Sequence, residues 1–480
     1  MSNLHVDLIL VLVVATIFFS RKIIDQPNFS KLLKGSRNIP YTNRNVARYK
    51  LSKGSEISVE NKSKLGTLYM HRDGFRYEVV LTTPDQLKQY FSSHPRDHAK
   101  LDSFGAGQYL VALLGECLGF QNGDSWMNMR KLFNGYFSHA SAIQTLPTMV
   151  EFIGGYVEST TKESSKVVDP FEYVSAIPFT CIANYLYGKS HCTPERLSGL
   201  KELIPLHTDL LTFAFKTFWG RFKIFQFFQS DEMKGLRHFQ DRFTQLSLEM
   251  VRNAGNDPSV ASELYSRVES GELSFDSWIQ TLDEILFANI DVTATVMSWA
   301  LVEMARNPKA QHALREEIHS STESQEEYVK KTETHLHRVL LETLRLHPLL
   351  WFGFPEVVSK DIVIDGFQIP AHTPIVIDQF QVNYESEIWN PPNKPKGFGH
   401  EFHPDRFIGL GNRDVLMSSV TFGSGPRRCL GKNFAEIVVK TLLVNMVKHF
   451  ELSLCDPVEY AENTFVVQPK AKVKLGRIGV

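Results

Sequence analysis

The stretch Phe422-Gly-Ser-Gly-Pro-Arg-Arg-Cys429-Leu-Gly431 constrains this chain more than any other. Glycines at 423, 425 and 431 allow positive φ and a close approach of backbone to a flat ligand. The run 432–449 that follows reads as a helix, so Cys429 is expected just ahead of a helix N-terminus. Exposed N–H groups and the helix dipole at such an end favour a thiolate over a thiol. Arg427 and Arg428 stand beside it and suit carboxylate partners. A thiolate in a glycine loop flanked by arginines fits axial ligation of haem iron, with salt bridges to the haem carboxylates. The bland alternative is a buried free cysteine in a turn.

Composition narrows the classes. With 480 residues, 43% hydrophobic and 22% charged, the chain is neither disordered nor polytopic in a membrane. A fold of this size buries about 75% of its unfolded surface, enough for a deep internal cavity. The net charge of -1 gives no global field toward nucleic acid. Five scattered cysteines without a C-x-x-C pair exclude a disulfide scaffold and a zinc site, and fit reduced thiols.

The N-terminus departs from this pattern. Residues 8–19 are almost unbroken apolar chain, followed by Arg21 and Lys22. That is short of the about 20 residues of a bilayer span, but no small-residue cleavage site follows. Lys31, Lys34 and Arg37 would hold the next segment on the cytosolic side. The expectation is an uncleaved signal anchor over 1–22, a linker over 23–45 and one catalytic domain over 46–480. A monotopic or a buried helix is the alternative for the first segment.

Helical periodicity covers 140–163, 195–218, 230–254, 275–307 and 309–319. Strand patterns are fewer: 66–71, 77–82, 356–364, 374–380, 450–454 and 472–475. The reading is a mostly α, α+β fold, with a small sheet built from both ends of the chain.

Phe422-x-x-Gly425-x-Arg427-x-Cys429-x-Gly431 resembles the haem-binding loop of the haem-thiolate monooxygenases, the cytochrome P-450 superfamily. Five such fixed positions arise by chance on the order of once in ten thousand chains. Companion motifs keep the family's order. Glu342-Thr-Leu-Arg345 is similar to its Glu-x-x-Arg helix, and Phe402-x-Pro404-x-Arg406-Phe407 lies between that helix and the cysteine loop. Alone, Glu-x-x-Arg carries no weight, since Glu303-Met-Ala-Arg306 matches too. Spacing i, i+3 puts Glu342 and Arg345 on one helix face, where Arg406 can complete a charge-assisted cluster that acts as a structural lock. Trp126-x-x-x-Arg130 resembles the helix that covers a haem propionate. Many relatives carry a base near the Pro355 position, but here Glu356 follows. The propionates would then lean on Arg427, Arg130 and Trp126, or on His98.

The resemblance implies the cytochrome P-450 fold, haem b ligated by Cys429, and a helix over 275–307 crossing the oxygen side. Relatives usually carry small–Gly–x–acid–Thr there; this chain reads Ala288-Asn289-Ile290-Asp291-Val292-Thr293. Ala288 and Val292, at i and i+4, both face the iron on this reading. Thr293 lies about 100° round the helix from Val292, so it does not simply replace the missing alcohol. Asp291 keeps a water relay. Either water, Asn289 or a substrate hydroxyl delivers protons, or the chemistry is epoxidation, ring formation or coupling.

Apolar stretches at 104–114, 349–354 and 464–467 and the aromatic, basic run 212–228 are expected to line or roof the pocket and to dip into a membrane. The substrate is then an apolar, aromatic small molecule, with molecular oxygen as co-substrate. Without a flavin or nicotinamide motif, electrons from NADPH would come from a separate flavoprotein reductase, docking on Arg428, Lys432, Lys440 and Lys131. The resemblance implies an endoplasmic reticulum protein with a cytosolic catalytic domain and no nucleic-acid partner. The wording around Asn289 and Val292 is similar to fungal secondary-metabolism oxidases, including those of gliotoxin-like epipolythiodioxopiperazine pathways. Two other classes stay open: a haem-thiolate isomerase or dehydratase needing no reductase, and a non-catalytic haem sensor or carrier.

Overall fold

The computed structural model describes residues 38–46, 53–74, 76–93, 97–101, 107–217, 230–252, 257–462, 464 and 466–479. The expected anchor, 1–22, lies outside the described residues, as does the expected linker up to residue 37. Tyr41–Asn45, at the end of that linker, instead forms a strand at the edge of the main sheet.

Helices dominate, as their periodicity predicts. The central helix, Phe275–Arg306, starts at Ser274, whose side chain accepts from Ser277 N–H, and stops where Pro308 opens the next helix. It alone among the described helices is long and apolar enough to cross a membrane, but 81% of its most apolar window is buried. It is the axis of the core: Trp278 and Trp299 are fully enclosed, and the helix packs against Ala176–Tyr187, His335–Leu346 and Lys432–His449. The helix expected over 195–218 is two helices, Pro194–Glu202 and Ile204–Lys216. Pro205, lacking an N–H, breaks the ladder between them.

The strands do not form one sheet. A six-stranded sheet runs Tyr41–Asn45, Leu68–Asp73, Arg76–Leu81, Ile375–Ile377, Glu356–Val357, Ala99–Lys100. The late strands Phe450–Leu454 and Val473–Arg477 pair with each other, and Val473–Arg477 also pairs with Ser165–Val168, so their backbone groups are satisfied away from the first sheet. The single strand expected over 356–364 is two, because Ile362–Ile364 turns back on Phe367–Ile369 through Asp365 (φ 50) and Gly366 (φ 78). That is the left-handed pair a two-residue hairpin requires. The result is a large helical body beside a smaller β lobe, each with its own buried apolar cluster.

Candidate active site

A cavity of about 440 Å³ lies between the central helix, the cysteine loop and the start of the helix Lys432–His449. Leu110, Leu114, Ile182, Leu211, Phe215 and Val296 give it apolar walls. Cys429 is on its surface with the side chain accessible. The loop is shaped by Gly423 (φ 68) and Gly425 (φ 70), as the sequence predicts. A Cβ on Gly425 would sit 2.9 Å from Phe91, so close packing as well as φ demands glycine there. Gly431 differs from the expectation. Its φ is -82, and it serves as the N-cap of Lys432–His449 without any side-chain cap.

Backbone bonds fix the sulfur. Cys429 N–H donates to Phe422 O at 2.8 Å, and Thr421 Oγ1 donates to Leu344 O at 2.8 Å, tying the loop to the helix His335–Leu346. Burial pushes the Cys429 thiol up, while the N–H groups of Gly431 and Lys432 and the charge of Arg130 pull it down. A sulfur held before an uncapped helix start is ready for a cation that would favour the thiolate.

Positive charge gathers at one edge of the cavity. Trp126, Arg130, Arg427 and Lys100 all line it. Arg427 stacks 4.5 Å over the Trp126 ring and donates to Gln121 O (2.9 Å) and Gly119 O (3.1 Å). Burial lowers its guanidinium to about 10, against the pull of Glu356 and Glu284. Arg130 Nε donates to Asn134 Oδ1 at 2.8 Å. Lys100 was not evident from the motifs. It faces Glu356 across the strand pair Ala99–Lys100 and Glu356–Val357, at 2.5 Å. Burial pushes the Glu356 carboxyl up, but Lys100 and His98 outweigh it and bring it to about 2. His98 is buried, 3.4 Å from Glu356, and is not on the cavity wall. A sulfur below, apolar walls and cations at one rim fit an iron macrocycle with carboxylate side arms.

Glu342, Arg345 and Arg406 meet, fully or almost fully buried. Arg345 Nε and Nη2 donate to the two Glu342 oxygens at 2.7 and 2.9 Å. Arg406 Nε donates to Glu342 Oε1 at 2.7 Å, as does His403 N–H at 2.8 Å. The other matching pair, Glu303 and Arg306, is drawn off to His347, 2.9 Å from Glu303.

On the central helix, Ile285, Val292, Thr293 and Val296 line the cavity. Thr293 therefore reaches the wall together with Val292, although the two are about 100° apart round the helix. Asp291 does not line it. The Ala288 side chain lies outside the described residues. Glu284, two turns before Val292, lines the cavity and accepts from Gly119 N–H at 3.1 Å; burial raises its carboxyl. A Cβ on Gly119 would fall 2.0 Å from Glu284 Oε1, so this approach needs glycine. No motif signals Glu284; only its spacing of four residues from Ala288 and eight from Val292 could have found it.

Other expectations change. Leu349 and Phe354 line the cavity, but Val466 and Val467 are buried elsewhere, and Val467 N–H donates to Leu349 O. Of the roof run, Phe215 reaches the cavity, and residues 218–228 lie outside the described residues. Arg428, Lys432 and Lys131 are exposed, as docking requires. Lys440 is not: it is 4% exposed and donates to Val329 O (3.1 Å) and Lys331 O (2.8 Å). Its helix face packs on Gln325–Lys330, and burial lowers its ammonium to about 8.

The family model described as Cytochrome P450 matches residues 38–476. The cytochrome P450 monooxygenase PUL2 of Kluyveromyces lactis is 48% identical over 92% of this chain and 89% of its own length. The cytochrome P450 monooxygenase gliC of Aspergillus fumigatus is 30% identical, covering 84% of this chain and 81% of its own. The cytochrome P450 monooxygenase sirC of Leptosphaeria maculans is 30% identical over 81% and 75%.

Proposed function

The chain belongs to the cytochrome P450 family, and from that premise we propose a membrane-anchored monooxygenase that oxidises an apolar, aromatic intermediate of fungal secondary metabolism. It is an oxidoreductase acting on small apolar molecules. Within that activity we assign Cys429 as the residue that would hold the iron of haem b. One observation carries the assignment: Cys429 opens into the same apolar cavity that Trp126, Arg130, Arg427 and Lys100 rim with charge.

Bound haem supplies oxygen reduction and transfer of one oxygen atom to the substrate. The chain's own residues do the rest. Phe422, Gly425 and Gly431 frame the loop, and the Gly431 and Lys432 N–H groups stabilise negative charge on sulfur. Trp126, Arg130, Arg427 and Lys100 would hold the carboxylate side arms at the rim. Leu110, Leu114, Phe215 and Val296 exclude water and hold an apolar substrate near Val292 and Thr293. Asp291 and Thr293 are the candidate proton-handling pair, and Glu342, Arg345 and Arg406 hold the loop's support in register. NADPH electrons arrive from a separate flavoprotein reductase at the exposed Arg428, Lys432 and Lys131. Residues 1–22 anchor the chain in the endoplasmic reticulum, with the catalytic part in the cytosol.

The test is spectroscopic. Purified protein should carry haem whose ferrous carbonyl spectrum is of the sulfur-ligated type, and Cys429→His should convert it to the nitrogen type. A nitrogen-type spectrum in the unaltered protein refutes the assignment. Comparing metabolites of a strain lacking the gene with its parent then identifies the substrate.

A further inference from the structure

One acid stands in the cavity wall on the central helix. Glu284 lines the cavity, while its neighbours Leu282, Asp283, Leu286 and Phe287 are all buried. It is itself partly accessible, and the cavity is the space it opens to. That space is otherwise apolar here, since Leu114, Leu118, Phe120 and Ile285 line it too.

The segment 116–119 is strapped to this helix by three acceptors in turn. Gln280 Oε1 accepts from Glu116 N–H at 2.7 Å, Thr281 Oγ1 from Leu118 N–H at 3.1 Å, and Glu284 Oε2 from Gly119 N–H at 3.1 Å. Two of the three are neutral, so fastening the strap does not call for a carboxylate. Burial raises the Glu284 carboxyl against the pull of Gly119 N–H, the Cys117 thiol and the charge of Arg427. Arg427 is committed elsewhere, to Gln121 O, Gly119 O and the Trp126 ring. The buried acids of the same helix are each answered by a base, Asp283 by His207 and Glu303 by His347, both at 2.9 Å. Glu284 has no such pair among the described residues; its nearest donor is a backbone N–H.

We propose that Glu284 is a specificity-determining residue of this cavity, anchoring a substrate that is apolar except for one hydrogen-bond donor: an amine, an amide N–H or a hydroxyl. This assignment deepens the monooxygenase reading and rests on it. A carboxylate offers about four acceptor positions, and one N–H and one thiol leave about half of them open. A Cβ at 119 would lie 2.0 Å from Glu284 Oε1, so the strap closes one side of the carboxylate and leaves the cavity side for a ligand. An open carboxylate oxygen in apolar surroundings costs free energy, which a donor on the ligand recovers. A ligand lacking the donor leaves that cost in place, which is how a polar group in an apolar pocket discriminates.

Azoles that bind ferric haem through a ring nitrogen, carrying alkyl tails of graded length, probe the holoprotein through the shift of its absorption band. Each tail is made with a methyl, hydroxyl, carboxamide or ammonium end. At the length that reaches Glu284, a donor end should bind more tightly than the methyl end by about tenfold or more. A gain confined to ammonium assigns an amine substrate; a gain shared with carboxamide or hydroxyl assigns a neutral donor. Glu284→Gln keeps an oxygen for Gly119 N–H and should lose the gain for ammonium. Glu284→Leu should abolish the gain for every donor end. A gain that survives in Glu284→Leu overturns the proposal, and so does the absence of any gain in the unaltered protein, which decides alone if neither variant folds. The carbonyl spectrum separates the two failures: a nitrogen-type spectrum refutes the haem-thiolate reading, whereas a sulfur-type spectrum without a donor gain refutes the role of Glu284 only.

Discussion

Replacing Glu342 by Gln should be among the most damaging single-atom changes available in this chain. Glu342 is fully buried and accepts from Arg345 Nε and Nη2, Arg406 Nε and His403 N–H, all between 2.7 and 2.9 Å. Glutamine keeps the shape but turns one acceptor into a donor aimed at a guanidinium. Two buried cations then face each other with the anion gone. Breaking a buried ion pair from one side costs about 3–5 kcal/mol. At about 2 cal/mol/K per residue, unfolding 480 residues carries an entropy near 1 kcal/mol/K, so the melting temperature should fall by about 3–5 °C. The loss should extend to the cysteine loop. Arg345 O accepts from Asn383 Nδ2, whose Oδ1 accepts from Val420 N–H, and Leu344 O accepts from Thr421 Oγ1. Calorimetry of the haem-loaded protein, paired with its carbonyl spectrum, tests both. A variant melting within about 1 °C of the parent, with its sulfur-type spectrum intact, would show that the cluster does not hold the loop, and the reasoning would fail.

Two further outcomes are expected. Glu356 sits near 2 in the fold against an ordinary value of 4.5, so its contribution is complete above about 4.5 and is lost as pH falls toward 2. Urea unfolding of Glu356→Gln should lose that acid sensitivity; an unchanged slope between pH 5 and 3 would show that the Lys100 pair is not what sets it. Val292→Thr restores an alcohol at the cavity wall and should lower peroxide released per NADPH oxidised by about twofold or more, a barrier change of about 0.4 kcal/mol. Unchanged coupling would mean that proton delivery never depended on that position.

Local patterns carried most of the fold. The helix over 275–307 and the one over 432–449 appear within a residue of expectation, because an apolar stripe and Ser274 or Pro308 at the ends act locally. What local pattern could not show was pairing. Val473–Arg477 reads as a strand whichever partner it takes, and only three dimensions reveal that it lies between Phe450–Leu454 and Ser165–Val168. The site divides the same way. Motifs that recur at fixed spacing identified Cys429, Arg427, Trp126 and the Glu342 cluster. Neither Lys100 nor Glu284 has a motif: Lys100 becomes visible only when distant segments meet at the cavity, and Glu284 is signalled only by its spacing along the central helix. Lys440 shows the opposite error, since a lysine on an amphipathic helix reads as solvated until a neighbouring element covers it.

The rim also explains how Glu356 can stand near where the resemblance leads one to expect a base. Lys100 and Glu356 are direct partners on adjacent antiparallel strands, and strands in a sheet lie about 4.8 Å apart. Moving the base from one strand to the other shifts its charge by about one ladder spacing, within reach of a flexible four-carbon side chain. The acid left behind is not idle. It holds Lys100 at 2.5 Å and draws on the field of Arg427, so neither cation is spent on solvent before a carboxylate arrives at the cavity. An acid in the rim therefore organises positive charge there instead of opposing it, because Lys100 and His98 outweigh the effect of burial and bring its carboxyl down to about 2.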